Sequence, residues 1–142
     1  MNTALLAPAA VLVLWSVIMM LWMFALRMPA LAKMNLSSDQ TVGLRGGDLE
    51  GKVPAKVNWP AHNYAHLMEQ PTLFYAVVII LALVGNPSTF TVVVAWLYVM
   101  LRIMHSVWQA TINLIPLRFA LFALSSACLA ILAIQAVIVT TL

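Results

Sequence analysis

The sequence predicts an all-α integral membrane protein, a four-helix bundle running up-down-up-down, on three observations. Hydrophobic residues make up 64% of the 142 residues and charged ones only 8%, against about a quarter in an ordinary soluble domain. Four apolar stretches are each long enough to span a bilayer as a helix. Most of the charges are crowded between the first stretch and the second. A compact soluble monomer of this composition would lack the polar surface to stay in solution. A disordered chain is excluded by the same numbers, and a disulfide scaffold by the single cysteine, Cys128. Seven Lys/Arg against four Asp/Glu are too dilute for a phosphate-binding face, so no nucleic-acid partner is expected.

The first stretch, residues 4–26, is about 23 residues long and about 35 Å as a helix. No Lys or Arg precedes it, and it exceeds the roughly 7–15 residues of a signal-peptide core. It is therefore read as a retained helix, although Ala30-Leu31-Ala32 resembles a cleavage site. Residues 27–58 follow as a polar loop holding eight of the eleven charges and glycines at 43, 46, 47 and 51. Gly46-Gly47 and Gly51-Lys52 lack the spacing and the following Ser/Thr of a phosphate loop, so a solvated connection is expected. The remaining helices are expected over residues 59–84, 88–113 and 116–141. Gly85-Asn86-Pro87-Ser88 and the stretch from Asn113 to Pro116 join them tightly, which forces antiparallel neighbours. The whole chain, 1–142, reads as one domain. Five Lys/Arg lie in the 27–58 loop and none in the 85–88 turn, so the positive-inside rule places the loop in the cytoplasm.

Three charges remain within the helices: Glu69, Arg102 and Arg118. Each costs about 2.5–3.5 kcal/mol on insertion scales, which makes it a candidate for function. His62, His66 and Glu69 are spaced by four and three, one face of helix two, with Asn63 and Gln70 beside them. Tyr98, Arg102, His105 and Gln109 share one face of helix three. The two stripes are expected to face each other, with Glu69 and Arg102 as an ion pair. That pair reads either as packing glue or, with Arg118 at the same depth, as part of a site with excess positive charge for an anion. Arg118 could equally snorkel at a helix end. His62, His66 and Glu69 also have metal-like spacing, but the ligand set is thin and arginines adjoin it, so no metal is expected. Pro71 should interrupt helix two just after Glu69, and Cys128 reads as inert packing.

The stretch His-Asn-Tyr-Ala-His-Leu-Met-Glu-Gln-Pro-Thr-Leu-Phe at residues 62–74, with Arg102-x2-His105 and Arg118 sixteen residues after Arg102, resembles the MAPEG family. These are membrane-associated proteins in eicosanoid and glutathione metabolism, and the likeness is to bacterial-type members. The resemblance implies a homotrimer in a bacterial inner membrane, with a site at each subunit interface near the cytoplasmic side. It implies glutathione as cosubstrate, lipophilic electrophiles or membrane lipids as partners, and a membrane-bound glutathione transferase or peroxidase. Carried over by position, Arg118 would be catalytic and stabilise the thiolate, since a guanidinium favours thiolate over thiol. Glu69 would hold the amine, Arg102 a carboxylate, and His105 would add a hydrogen bond, with His62 and His66 lining the site. Departures stand beside the match. The family's helix-two arginine, alanine and asparagine are His62, Asn63 and His66 here. Gln109 replaces a tyrosine frequent in catalytic members, and Phe119 and Phe122 follow Arg118 where polar or phenolic groups help hold the peptide. Arg27 or Lys33 takes the place of a first-helix arginine. A non-catalytic lipid-binding or scaffolding member is the alternative.

Overall fold

The structure, a computed structural model, describes residues 3–85 and 87–141. Those residues are helical wherever they are regular, and no strand occurs among them. The helices are α1 (Leu6–Lys33), α2 (Ser38–Thr41), α3 (Ala55–Leu67), α4 (Gln70–Val84), α5 (Thr89–Thr111) and α6 (Ile115–Thr141), with short 3-10 turns at Thr3–Leu5 and Gly46–Leu49. Four stretches are long and apolar enough to cross a membrane: Thr3–Lys33, Ala55–Val84, Thr89–Thr111 and Ile115–Thr141. Among these helices α5 packs most extensively on α6, α1 lies along α3, and α4 reaches α6. Leu12 and Met19 of α1, Phe74 and Val78 of α4, Tyr98 and Val99 of α5 and Leu132 of α6 meet in one core.

Three boundaries differ from the sequence expectation. The first helix runs on to Lys33 rather than ending at residue 26. A single charge such as Arg27 ends an apolar run without ending a helix. Pro29 lacks an N–H and gives up only one intrahelical bond. Past the cap residue Met34 the helix cannot continue, because Asn35 turns to a φ of 47°, the left-handed conformation that asparagine tolerates. The loop accordingly shortens at both ends, because α3 starts at Ala55. The second span is two helices, α3 and α4, broken at Met68 and Glu69. Pro71 opposes the carbonyl of Leu67 and supplies no N–H, so a continuous ladder cannot cross this point. Thr72 Oγ1 donates instead to the carbonyl of Glu69 at 2.6 Å.

The 34–54 segment is tied down. Leu49 is buried, and Arg27 Nη2 donates to the carbonyl of Gly46 and to Oδ1 of Asn58, both at 3.2 Å. A Cβ at position 46 would sit 2.6 Å from Arg27 Nη1, so only glycine permits this approach without displacing the guanidinium. At the other end, α4 stops at Gly85 with φ 85°, a conformation costly for any other residue. Asn86 of the expected turn lies outside the described residues. Ser88 then caps α5, its Oγ accepting from the N–H of Thr91 at 3.1 Å.

Candidate functional site

The polar groups inside the bundle gather where α3 and α4 face the second half of α5. Tyr98, Arg102, His105, Ser106 and Gln109 recur at helical spacing, and all are buried. Arg102 is fully enclosed, at 0% exposure. A guanidinium there is tolerable only if its donors find acceptors. It finds three: Nε donates to the Tyr98 hydroxyl at 3.2 Å, Nη1 faces His66 Nδ1 at 3.3 Å, and Nη2 donates to Gln70 Oε1. Arginine cannot accept, so His66 Nδ1 is the acceptor and the ring proton belongs on Nε2. The guanidinium also lies 5.3 Å from the Phe122 ring centre and 5.6 Å from that of Tyr98, within cation–π range.

A second layer holds these acceptors in place. Gln70 Nε2 donates to Ser126 Oγ at 2.7 Å, and Ser126 Oγ donates to the carbonyl of Phe122 at 2.8 Å. Tyr98 stacks on Phe74 with ring centres 4.3 Å apart. His66 sits 5.0 Å from His105 and edge-on to Phe122 at 5.3 Å. Asn63 Nδ2 donates to Ser106 Oγ. Two buried acceptors, Asn63 Oδ1 and Gln109 Oε1, have no partner.

The stripe on α5 turns inward as expected, but helix two meets it with a different edge from the expected His62, His66 and Glu69. Asn63, His66 and Gln70 point inward. Glu69 is exposed at the break, and its carboxylate makes no ion pair with Arg102. His62 is also turned outward, where its Nε2 meets Glu50 Oε1 at 2.5 Å, and among the described residues no Lys or Arg pairs with a carboxylate. The His62–Glu50 contact bridges the polar segment to α3. His62, His66 and Glu69 therefore do not converge, and among the described residues no three His, Cys, Asp or Glu side chains gather as metal ligands. Arg118, in the first turn of α6, is half-buried, and its Nη1 donates to Oδ1 of Asn113 at 2.6 Å. Asn113 closes the α5–α6 turn in the left-handed region, at φ 58°. Arg118 still lies within electrostatic reach of His66 and His105.

Of the residues that sequence reasoning singled out, the structure joins Arg102, His66 and His105 directly. Arg118 lies at the margin, and His62 and Glu69 lie outside. Gln70 and Ser126 were not foreseen as the supports of Arg102. The spacing of Asn63, His66 and Gln70, three then four, was the available signal for Gln70. Nothing local marks Ser126, which comes from a different helix.

Glutathione can be tested against these groups. Arg102 uses three of its five N–H donors and has no carboxylate beside it. Arg118 commits one bond to Asn113, and the Glu69 carboxylate is free of hydrogen bonds. Arg118 is half-buried and Glu69 exposed, so a donor and an acceptor remain reachable, while Arg102 is enclosed at 0% exposure and would have to be uncovered to meet a ligand. Compared with known proteins, residues 5–138 match the family model described as MAPEG family. No curated protein and no solved structure matches the chain.

Proposed function

The chain belongs to the MAPEG family and is a multi-pass integral membrane protein, and we propose from this that it binds glutathione or a similar anionic thiol and joins it to lipophilic electrophiles. The observation that carries the reading is the uncompensated positive charge of Arg102 and Arg118, with no carboxylate paired to either. Arg118 would hold the thiol sulfur and favour its thiolate. Arg102, steadied by Gln70, Tyr98 and His66, would attract a carboxylate. Glu69 would accept from the ammonium group. The sulfur would form the new bond to the electrophilic carbon as that carbon's leaving group departs, and the electrophile would enter from the bilayer. The helices would run up-down-up-down in a homotrimer, completing each site with a neighbouring subunit. The polar segment, with its lysines and arginines, would face the cytoplasm of a bacterial inner membrane.

Calorimetry of the folded, detergent-solubilised protein with glutathione tests the first step. Binding at millimolar thiol or tighter is expected, and none at all refutes the reading. Conjugation of a chlorodinitrobenzene-type electrophile tests the second. Arg118→Ala should lower kcat/KM by roughly 10²-fold, the usual scale for removing a preorganised charge-stabilising donor. Native mass spectrometry should return a trimer.

A second reading has its own observation. Arg102 is sealed at 0% exposure with Gln70, Tyr98 and His66 as partners, as a packing hub would be. A non-catalytic lipid-binding or scaffolding protein would then keep its fold, fail to bind glutathione, and show no conjugation with or without Arg118.

A further inference from the structure

A groove of about 360 Å³ runs between the last turns of α1 and the entry to α3, away from the Arg102 cluster. Its lining is mostly apolar, including Leu26, Ala30, Val53 and Val57, and it holds two lysines, Lys33 and Lys52. No carboxylate lines it. The nearest acid in sequence, Glu50, is committed to His62. Neither lysine makes an ion pair. The groove also lies where two spans end, since Lys33 closes the first and Ala55 opens the second. An apolar lining joined to two lysines, at the level where two spans end, complements an anionic amphiphile whose chain and charge are joined. A soluble nucleotide would want aromatic faces or neutral hydrogen-bonding side chains, and the lining offers none.

We propose that this groove binds the phosphate headgroup of an anionic phospholipid, with Lys33 and Lys52 on the phosphate and the first methylenes of an acyl chain along Leu26 and Ala30. A lysine stem can lie on apolar surface while its head reaches the interface, the disposition in which Lys contributes to lipid recognition. This is independent of whether glutathione binds.

The full chain is reconstituted in nanodiscs of mixed phosphatidylglycerol and phosphatidylcholine, and the lipid retained after detergent extraction is measured by native mass spectrometry. Phosphatidylglycerol should be enriched over phosphatidylcholine. Lys33→Gln with Lys52→Gln should reduce that preference by roughly 30-fold, about a factor of five for each ammonium near an anionic lipid. Lys33→Arg with Lys52→Arg should keep it, as should Lys56→Gln, an exposed lysine outside the groove. Enrichment unchanged in the double glutamine variant, or no enrichment in the parent, overturns the proposal. Displacement of the lipid by inorganic phosphate also overturns it, since the site would then serve a soluble anion. If the double variant does not fold, Lys52→Gln alone and a salt titration of the parent decide. Both must lower the preference.

Discussion

Arg102 is held by an uncharged neighbour, Gln70, while the adjacent carboxylate of Glu69 faces outward. Gln70→Leu should therefore cost about 2 kcal/mol, the scale of a hydrogen bond to a charged group. Glu69→Gln should stay within about 0.5 kcal/mol, as exposed substitutions do. Thermal unfolding in detergent separates them, and equal losses would restore Glu69 as the partner. The two inward candidates were hard to tell apart in the sequence. His62, His66 and Glu69 and the set Asn63, His66 and Gln70 share His66 and both fit helical spacing, and charge alone favoured glutamate. Which edge turned inward was decided by the break at Met68 and Glu69 and by acceptors supplied from α6, neither visible in helix two by itself. Arg102, His105 and His66 were legible because a charge or imidazole in an apolar helix has few places to go.

The break between α3 and α4 is the element that sets this geometry. Pro71→Ala would return an N–H to the ladder and let the helix run through. Hydrogen exchange should then show added protection over residues 68–72. Gln70 should turn relative to His66, lowering stability despite the better local helix. Loss of the break without any effect on stability would show that Gln70 does not depend on it. The polar segment has its own anchor in Arg27, Gly46 and Asn58. Gly46→Ala places a methyl against the guanidinium and should raise cleavage of residues 34–54 by added protease, with little change in the unfolding of the spans. Apolar runs identified four spans and the tight joints, and Pro71 announced a disturbance. Their ends were less legible, because hydropathy reports where a membrane stops and helix capping reports where a helix does. Arg27 through Lys33 satisfies the second criterion while failing the first.

Across the whole molecule, large apolar side chains such as Leu14, Leu83, Val93, Phe119 and Ile134 stand exposed on the outer faces, a surface suited to lipid or neighbouring subunits rather than water. Cys128 is buried within α6 at 6% exposure. A membrane-impermeant maleimide should leave it unlabelled in the folded protein and modify it fully after denaturation, while fast labelling of folded protein would contradict the packing of α6. Composition and patterning by themselves determined that the chain is helical and membrane-embedded, and that a charge such as Arg102 inside a span would need polar partners there, because hydrocarbon solvates neither an open backbone nor an isolated ion. Tertiary structure decided the partners. Gln70 from beyond a helix break, Ser126 and Phe122 from α6, and Glu50 from the polar segment reach their places only when the helices pack. Hydrogen bonding depends on ångström distances between elements that are far apart in the chain, whereas membrane insertion depends only on the summed hydropathy of residues adjacent in it.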